Sequence, residues 1–181
     1  MICIHDPIRQ EAFPVINSLK RAGISKVVMM TGDSERTARA VAAQIGVDEY
    51  YSEVLPEDKA GFVEREKAAG RKVIMIGDGI NDSPALSAAD VGIAISDGAE
   101  IAREIADVTI GADNLYEIVT LKAISNGLMK RIHKNYRSII LINAGLIALG
   151  VTGIIQPTTS ALLHNTSTLV IGLKSMQNLI D

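Results

Sequence analysis

The stretch MIGDGINDSPAL, residues 75–86, sits where an apolar run stops and helical spacing begins. Upstream, KVIMIG ends at Gly77 with the pattern of a short buried strand; downstream, apolar residues between 81 and 88 recur at helical spacing. In open parallel sheets, the edge where strands give way to helices is where ligands bind. Asp78 and Asp82 lie four apart across a glycine-containing loop, so both carboxylates can reach one hard cation that keeps water and phosphate oxygens as its other ligands. Magnesium fits that donor set. Asn81 can give its amide hydrogens to a phosphate oxygen, and Gly77 and Gly79 let the backbone approach closely. A bare Gly-Asp-Gly is an ordinary turn, so the reading depends on what stands beside it.

Two partners stand beside it. The first is Thr31-Gly32-Asp33, closing the apolar run KVVMMT. Thr31 offers a hydroxyl to a phosphate at the same sheet edge, whereas the bland alternative is a helix N-terminal signal filled by Asp33 or Ser34. The second is Lys59 in LPEDK, whose charge can offset that of a phosphoryl group in in-line transfer. Alone, Lys59 would be a solvated helix lysine.

Outward from these strings, residues 2–110 alternate short apolar runs with amphipathic stretches, which predicts strands joined by crossover helices. The runs are ICI near the start, KVVMMT, the weaker YYSEV at 50–54, KVIMIG, VGIAI at 91–95 and VTI at 108–110. Helical spacing covers 10–22, 34–45, 56–69, 81–88 and 100–106, with Gly23, Gly46 and Gly70 placed as stops. The chain is 48% hydrophobic but only 3% aromatic, so its apolar content is aliphatic, as suits a parallel sheet or membrane helices. A net charge of -3 without a long basic block argues against nucleic acid as a partner. Cys3 is the lone cysteine and reads as a strand residue, so no internal disulfide forms and a reducing compartment is the default.

After Asp113 the pattern becomes one long helix that gathers Lys130, Arg131, Lys134 and Arg137 before an apolar region. The 36 residues Ser138 to Leu173 contain no Asp, Glu, Lys or Arg, and His164 is their one titratable group. As a single helix they would rise about 54 Å, well beyond a bilayer core of roughly 30 Å. Pro157 marks a turn, giving two spans of about 18 residues each. The basic cluster before the first span and Lys174 near the end of the second set both ends on the cytoplasmic side. The soluble alternative is a helical pair docked on the sheet. At membrane depth His164 and Asn165 are costly and mark either an ion path or a hydrogen-bonded pair, with Asn143 or Thr168 as the partner. Imidazole suits a transition metal, so both readings of His164 stay open.

TGD, PEDK and GDGINDSPAL in this order resemble the haloacid-dehalogenase-like phosphorylation domain of P-type ATPases. The resemblance extends to DPIR near the start, to ADVGIAI and to EIAREIADVTI. NYRSIILIN and PTTSALLHNTSTL look most like the heavy-metal transporters of that family. The resemblance implies an α/β, Rossmann-type sheet over residues 1–113, a linking amphipathic helix over 114–137, and two membrane helices at about 138–156 and 158–176. It implies that Asp78 ligates magnesium, that Asp82 organises the site, that Asn81 and the TGD loop of Thr31, Gly32 and Asp33 hold the phosphoryl group, and that Lys59 screens its charge. It also implies ATP as phosphoryl donor, a transition-metal cation as cargo, the bilayer as surroundings, and a cell-membrane location with residues 1–137 and the C-terminus cytoplasmic. The family's nucleophilic aspartate lies in a DKTGT string that does not occur here. The expected sheet therefore lacks its nucleophile strand, and the expected partner is an N-terminal portion of the same transporter that carries it. Two other classes compete: a non-catalytic truncated membrane protein or split-subunit partner, and a free-standing phosphatase, which needs an N-terminal DxD that HDP at 5–7 does not provide.

Overall fold

The computed structural model describes residues 8–78, 80–95, 100–111 and 114–179, so Cys3, the ICI run and Gly79 lie outside the described residues. The chain divides into two compact units, Met1–Thr120 and Leu121–Asp181.

In the first unit the order is α1 (Ala12–Arg21), β1 (Val28–Met30), α2 (Glu35–Ile45), β2 (Glu49–Tyr51), α3 (Pro56–Ala68), β3 (Ile74–Gly77), a 3-10 turn (Ile80–Asp82), α4 (Ser83–Ala88), β4 (Val91–Ile95), α5 (Glu100–Ile105) and β5 (Val108–Ile110). All strand pairs are parallel, as crossover helices require. The strands form two ladders, β1 with β2 and β3–β4–β5. No ladder joins β1 to β3 among the described residues. They nonetheless share a core, because Met30 of β1 packs against the buried cluster of Val63, Met75, Ala85, Leu86 and Ala94. Ile74 and Ile76 of β3 remain 43% and 36% exposed, an unusual state for strand isoleucines.

β2 is shorter and earlier than the run 50–54. Past Tyr51 the chain leaves the ladder: Glu53 takes a positive φ of 54°, and Val54 N–H turns back to the carbonyl of Thr31.

A device invisible to periodicity closes each parallel pair at its N-terminal end. Asp48 receives the Val27 N–H on its carboxylate at 2.7 Å while its own N–H reaches the Val27 carbonyl at 2.9 Å. Asp90 does the same with Val73, and Asp107 with Gly92. Each aspartate directly precedes a strand or its ladder. Lys20 and the Val27 N–H hold the Asp48 carboxyl below the ordinary range, and the Val73 N–H followed by Lys72 does so for Asp90.

In the second unit, α6 (Tyr116–Val151, beginning in the first unit) is 36 residues long and α7 (Pro157–Ser175) is 19. α6 stops because Gly153 adopts φ 73°, and Ile154 and Gly153 donate back to the carbonyls of Leu149 and Gly150, a Schellman closure. Pro157 opens α7, where its missing N–H costs nothing. Arg131 donates to the carbonyls of Ser175, Gln177 and Asn178, and Asn135 bonds the Ser175 hydroxyl at 2.6 Å. The chain after α7 is thereby clasped to the middle of α6. Among the described residues no helix is long and apolar enough to cross a membrane. The two expected spans are present as helices, but α6 ends at Val151 and α7 carries HNTST in its middle. Their apolar side chains are nevertheless largely bare: Leu141 is 70% exposed, Val151 84%, and α7 buries no residue.

Candidate phosphate and metal site

The strings read from the sequence sit at the C-terminal ends of β1 and β3. Asp78 lies exposed just past Gly77, and its carboxylate has no partner among the described residues. Asn81 is exposed in the 3-10 turn, and Asp82 at its end is buried. Lys59, from the first turn of α3, donates to Asp82 Oδ1 at 2.7 Å. The two side chains are 14% and 12% exposed, so this is a largely desolvated pair and not a surface bridge.

Gly77 has a steric role beside the one its place in the string suggests. A Cβ there would stand 2.6 Å from Asp82 Cβ and 2.8 Å from its Cγ and Oδ2. The Asp82 side chain thus packs flat against the end of β3, where only glycine leaves room. That contact and the Lys59 ammonium fix the Asp82 carboxylate from two sides. Next to it, the Ser83 hydroxyl is buried without a partner among the described residues.

The TGD loop is built separately. Thr31 N–H bonds the Tyr51 carbonyl at 3.0 Å, and Glu53 N–H bonds the Asp33 carbonyl at 2.9 Å, so β2 and its exit hold the loop. The Thr31 hydroxyl donates to Asp33 Oδ2 at 2.8 Å and accepts from the Asp33 N–H at 3.1 Å. Gly32 and Asp33 are exposed. Ser34 occupies the N-cap of α2, although its side chain makes no cap bond. Among the described residues no hydrogen bond or ion pair joins the Thr31–Asp33 group to the Lys59–Asp82 group. The structure therefore brings together Lys59 with Asp82 and Thr31 with Asp33. The Lys59 to Asp82 contact could not be read from spacing, since 23 residues separate them.

In the second unit, His164 Nδ1 lies 2.8 Å from Asn143 Oδ1. An amide oxygen only accepts, so in this contact Nδ1 is the donor. The pair borders an open groove of about 620 Å³ lined by Leu146, Ile147, Gly150 and Pro157. Among the described residues no group of three or more His, Cys, Asp or Glu stands close enough to hold a metal ion.

Residues 1–90 match the haloacid dehalogenase-like hydrolase family. The chain is 38% identical over 172 residues to a manganese-exporting P-type ATPase of Mycobacterium leprae, covering 94% of this chain and 24% of the relative. It is 42% identical over 159 residues to a probable copper-importing P-type ATPase of Enterococcus hirae, covering 87% and 22%. A zinc-transporting PIB-type ATPase in its E2·Pi state superposes on 97% of this chain and 28% of its own, with a TM-score of 0.81 and 31% identity. The chain belongs to the heavy-metal P-type ATPase family. It spans about a quarter of the length of the curated relatives it matches. The α/β portion also shares its fold with a magnesium- and phosphate-bound sugar-phosphate phosphatase from Moraxella catarrhalis, at a TM-score of 0.53 over 62% of the chain.

Proposed function

We propose that this chain supplies the magnesium and phosphate side of a phosphorylation domain, together with a membrane hairpin, in a pump that couples ATP hydrolysis through an aspartyl-phosphate to movement of a heavy-metal cation. The observation that carries this reading is the seam between β1 and β3. Two strands end in phosphate-type loops, share a core and yet share no ladder, and β3 exposes two isoleucines. A seam of that kind suits one inserted strand, and no DKTGT string occurs in this sequence to provide it.

The residues fit a magnesium site in chemical type. Asp78 is an exposed carboxylate without a competing partner, and a hard cation can take it with water and phosphate oxygens as its remaining ligands. When bound, magnesium would offset the charge of the phosphoryl oxygens. Asp82, committed to Lys59, positions the loop and sets the place of the ammonium. Lys59 then screens phosphoryl charge, Asn81 donates its amide to a phosphoryl oxygen, and Thr31 exchanges its internal bond to Asp33 for one to phosphate. Gly32 leaves room in the TGD loop for the phosphoryl group to approach.

For the hairpin, the support is the bare apolar surface of α6 and α7, the basic cluster ahead of Ser138, and the match of nearly the whole chain to a transporter. On this reading residues 1–137 and the C-terminus are cytoplasmic. The relatives are named for manganese, zinc and copper and for both export and import, so the cargo is a transition-metal cation in general. His164 Nε2 is the group in the hairpin suited to meet it, with Asn143 holding the ring.

The test is a phosphatase and ATPase assay on the purified chain, alone and mixed with a fragment carrying DKTGT. The chain alone should show no magnesium-dependent turnover, and the mixture should show turnover that Asp78→Ala abolishes. Magnesium-dependent turnover by the chain alone, lost in Asp78→Ala, overturns the reading.

A further inference from the structure

We infer that the face of α6 formed by Lys130, Lys134 and Arg137 is a docking site for anionic lipid headgroups. This inference rests on the membrane-hairpin reading. The three cations recur at i, i+4 and i+7, which puts them on one stripe of the helix. All three are exposed, and none has an ion-pair or side-chain hydrogen-bond partner among the described residues. The fourth cation of the cluster is spent differently. Arg131, about a quarter-turn round the helix, is consumed by the three carbonyls after α7. The cluster therefore divides into one arginine that clasps the protein to itself and three cations turned outward.

Charge and apolarity follow each other along that outward stripe. Continuing it by four residues from Arg137 reaches Leu141, which is 70% exposed, and the stripe then passes through Ala144 and Ala148. A face that is cationic and then bare and apolar matches a helix leaving the headgroup layer for lipid. A protein partner would more naturally require acidic groups opposite the lysines and burial of Leu141. Lys130 to Arg137 span about 10 Å along the axis at roughly 1.5 Å per residue. The headgroup layer is roughly 5–8 Å thick on each side, and lysine and arginine stems can bend to close the difference. Tyr136, 63% exposed in the same turns, is an interfacial residue type.

The experiment is flotation of the full chain with vesicles of phosphatidylcholine alone or containing phosphatidylglycerol, at low and high salt. Binding should favour the anionic vesicles at low salt, and the preference should shrink at high salt. K130Q/K134Q/R137Q should lose the preference by roughly fivefold per cation removed, whereas K130R/K134R should retain it. Equal binding to both vesicles, or a triple variant that keeps the preference, overturns the inference. Alkaline extraction separates the two readings. A chain stripped from both vesicle types refutes the hairpin, while one that resists extraction but shows no anionic preference refutes only the headgroup site.

Discussion

Gly77→Ala should destabilise the α/β portion and loosen its catalytic edge, although the change adds one methyl group. The new Cβ would meet Asp82 Cβ at 2.6 Å, about 1 Å inside an ordinary carbon–carbon contact. Asp82 Cβ is attached to backbone, so no side-chain rotation relieves the clash, and the turn Ile80–Asp82 has to move. Moving it stretches the 2.7 Å bond to Lys59. Overpacking of this kind costs roughly 1–3 kcal/mol, offset by about 0.4–1 kcal/mol from the stiffer unfolded chain, so a net loss of about 1–2 kcal/mol is expected. Gly61→Ala is the matched comparison. In the interior of α3 its Cβ would sit 3.5 Å from the flexible Arg65 guanidinium, and helix propensity favours the change by up to about 1 kcal/mol. Urea unfolding of the full chain, with hydrogen exchange at the amides of β3 and α4, reads both. The two variants should shift stability in opposite directions, with faster exchange in α4 for Gly77→Ala alone. A Gly77→Ala chain as stable as the parent, with unchanged exchange, would refute the packing argument.

Lys59→Ala leaves the Asp82 carboxylate largely buried and unpaired, at a cost of about 3 kcal/mol, the low end for breaking a buried pair because both groups keep some solvent contact. The double variant with Asp82→Ala should cost less than the two singles summed, and strict additivity in the double-mutant cycle would deny the coupling. On acidification, the depressed carboxyls of Asp48 and Asp90 contribute stability that is complete above the ordinary carboxylate range and is lost as pH falls through their lower folded values. Melting curves below about pH 4 should therefore decline less steeply in an Asp48→Asn/Asp90→Asn chain, which starts less stable. Arg131→Gln should expose the segment after Ser175 to carboxypeptidase trimming roughly tenfold faster, and unchanged trimming would mean that the clasp does not hold it.

Much of the fold was legible because the strands are short, aliphatic and flanked by glycine-stopped helices. VGIAI and VTI became β4 and β5 over the residues expected, and Gly23, Gly46 and Gly70 all take positive φ. What escaped were contacts between residues distant in the chain. An aspartate before a strand reads as a turn residue, so nothing local revealed that Asp48, Asp90 and Asp107 each close a ladder. The packing of Gly77 against Asp82 is equally invisible in the string, because Asp82 is met only after the chain turns through 80–82. Periodicity identifies strands, whereas pairing depends on which backbone lies alongside.

The aspartate closures at the starts of the parallel pairs also have a geometric consequence. Hairpins set register through a turn, but parallel strands have none, and here one carboxylate per pair supplies the missing phase mark. Counting forward from Val73 at the Asp90 closure gives Gly77 opposite Ala94, so the glycine at the site end of β3 is level with the buried Ala94 of β4. A single residue inserted between Asp90 and Val91 would leave every side chain chemically intact yet turn β4 over by one pleat. The alignment of the far edge of the sheet is thus metered from its near edge.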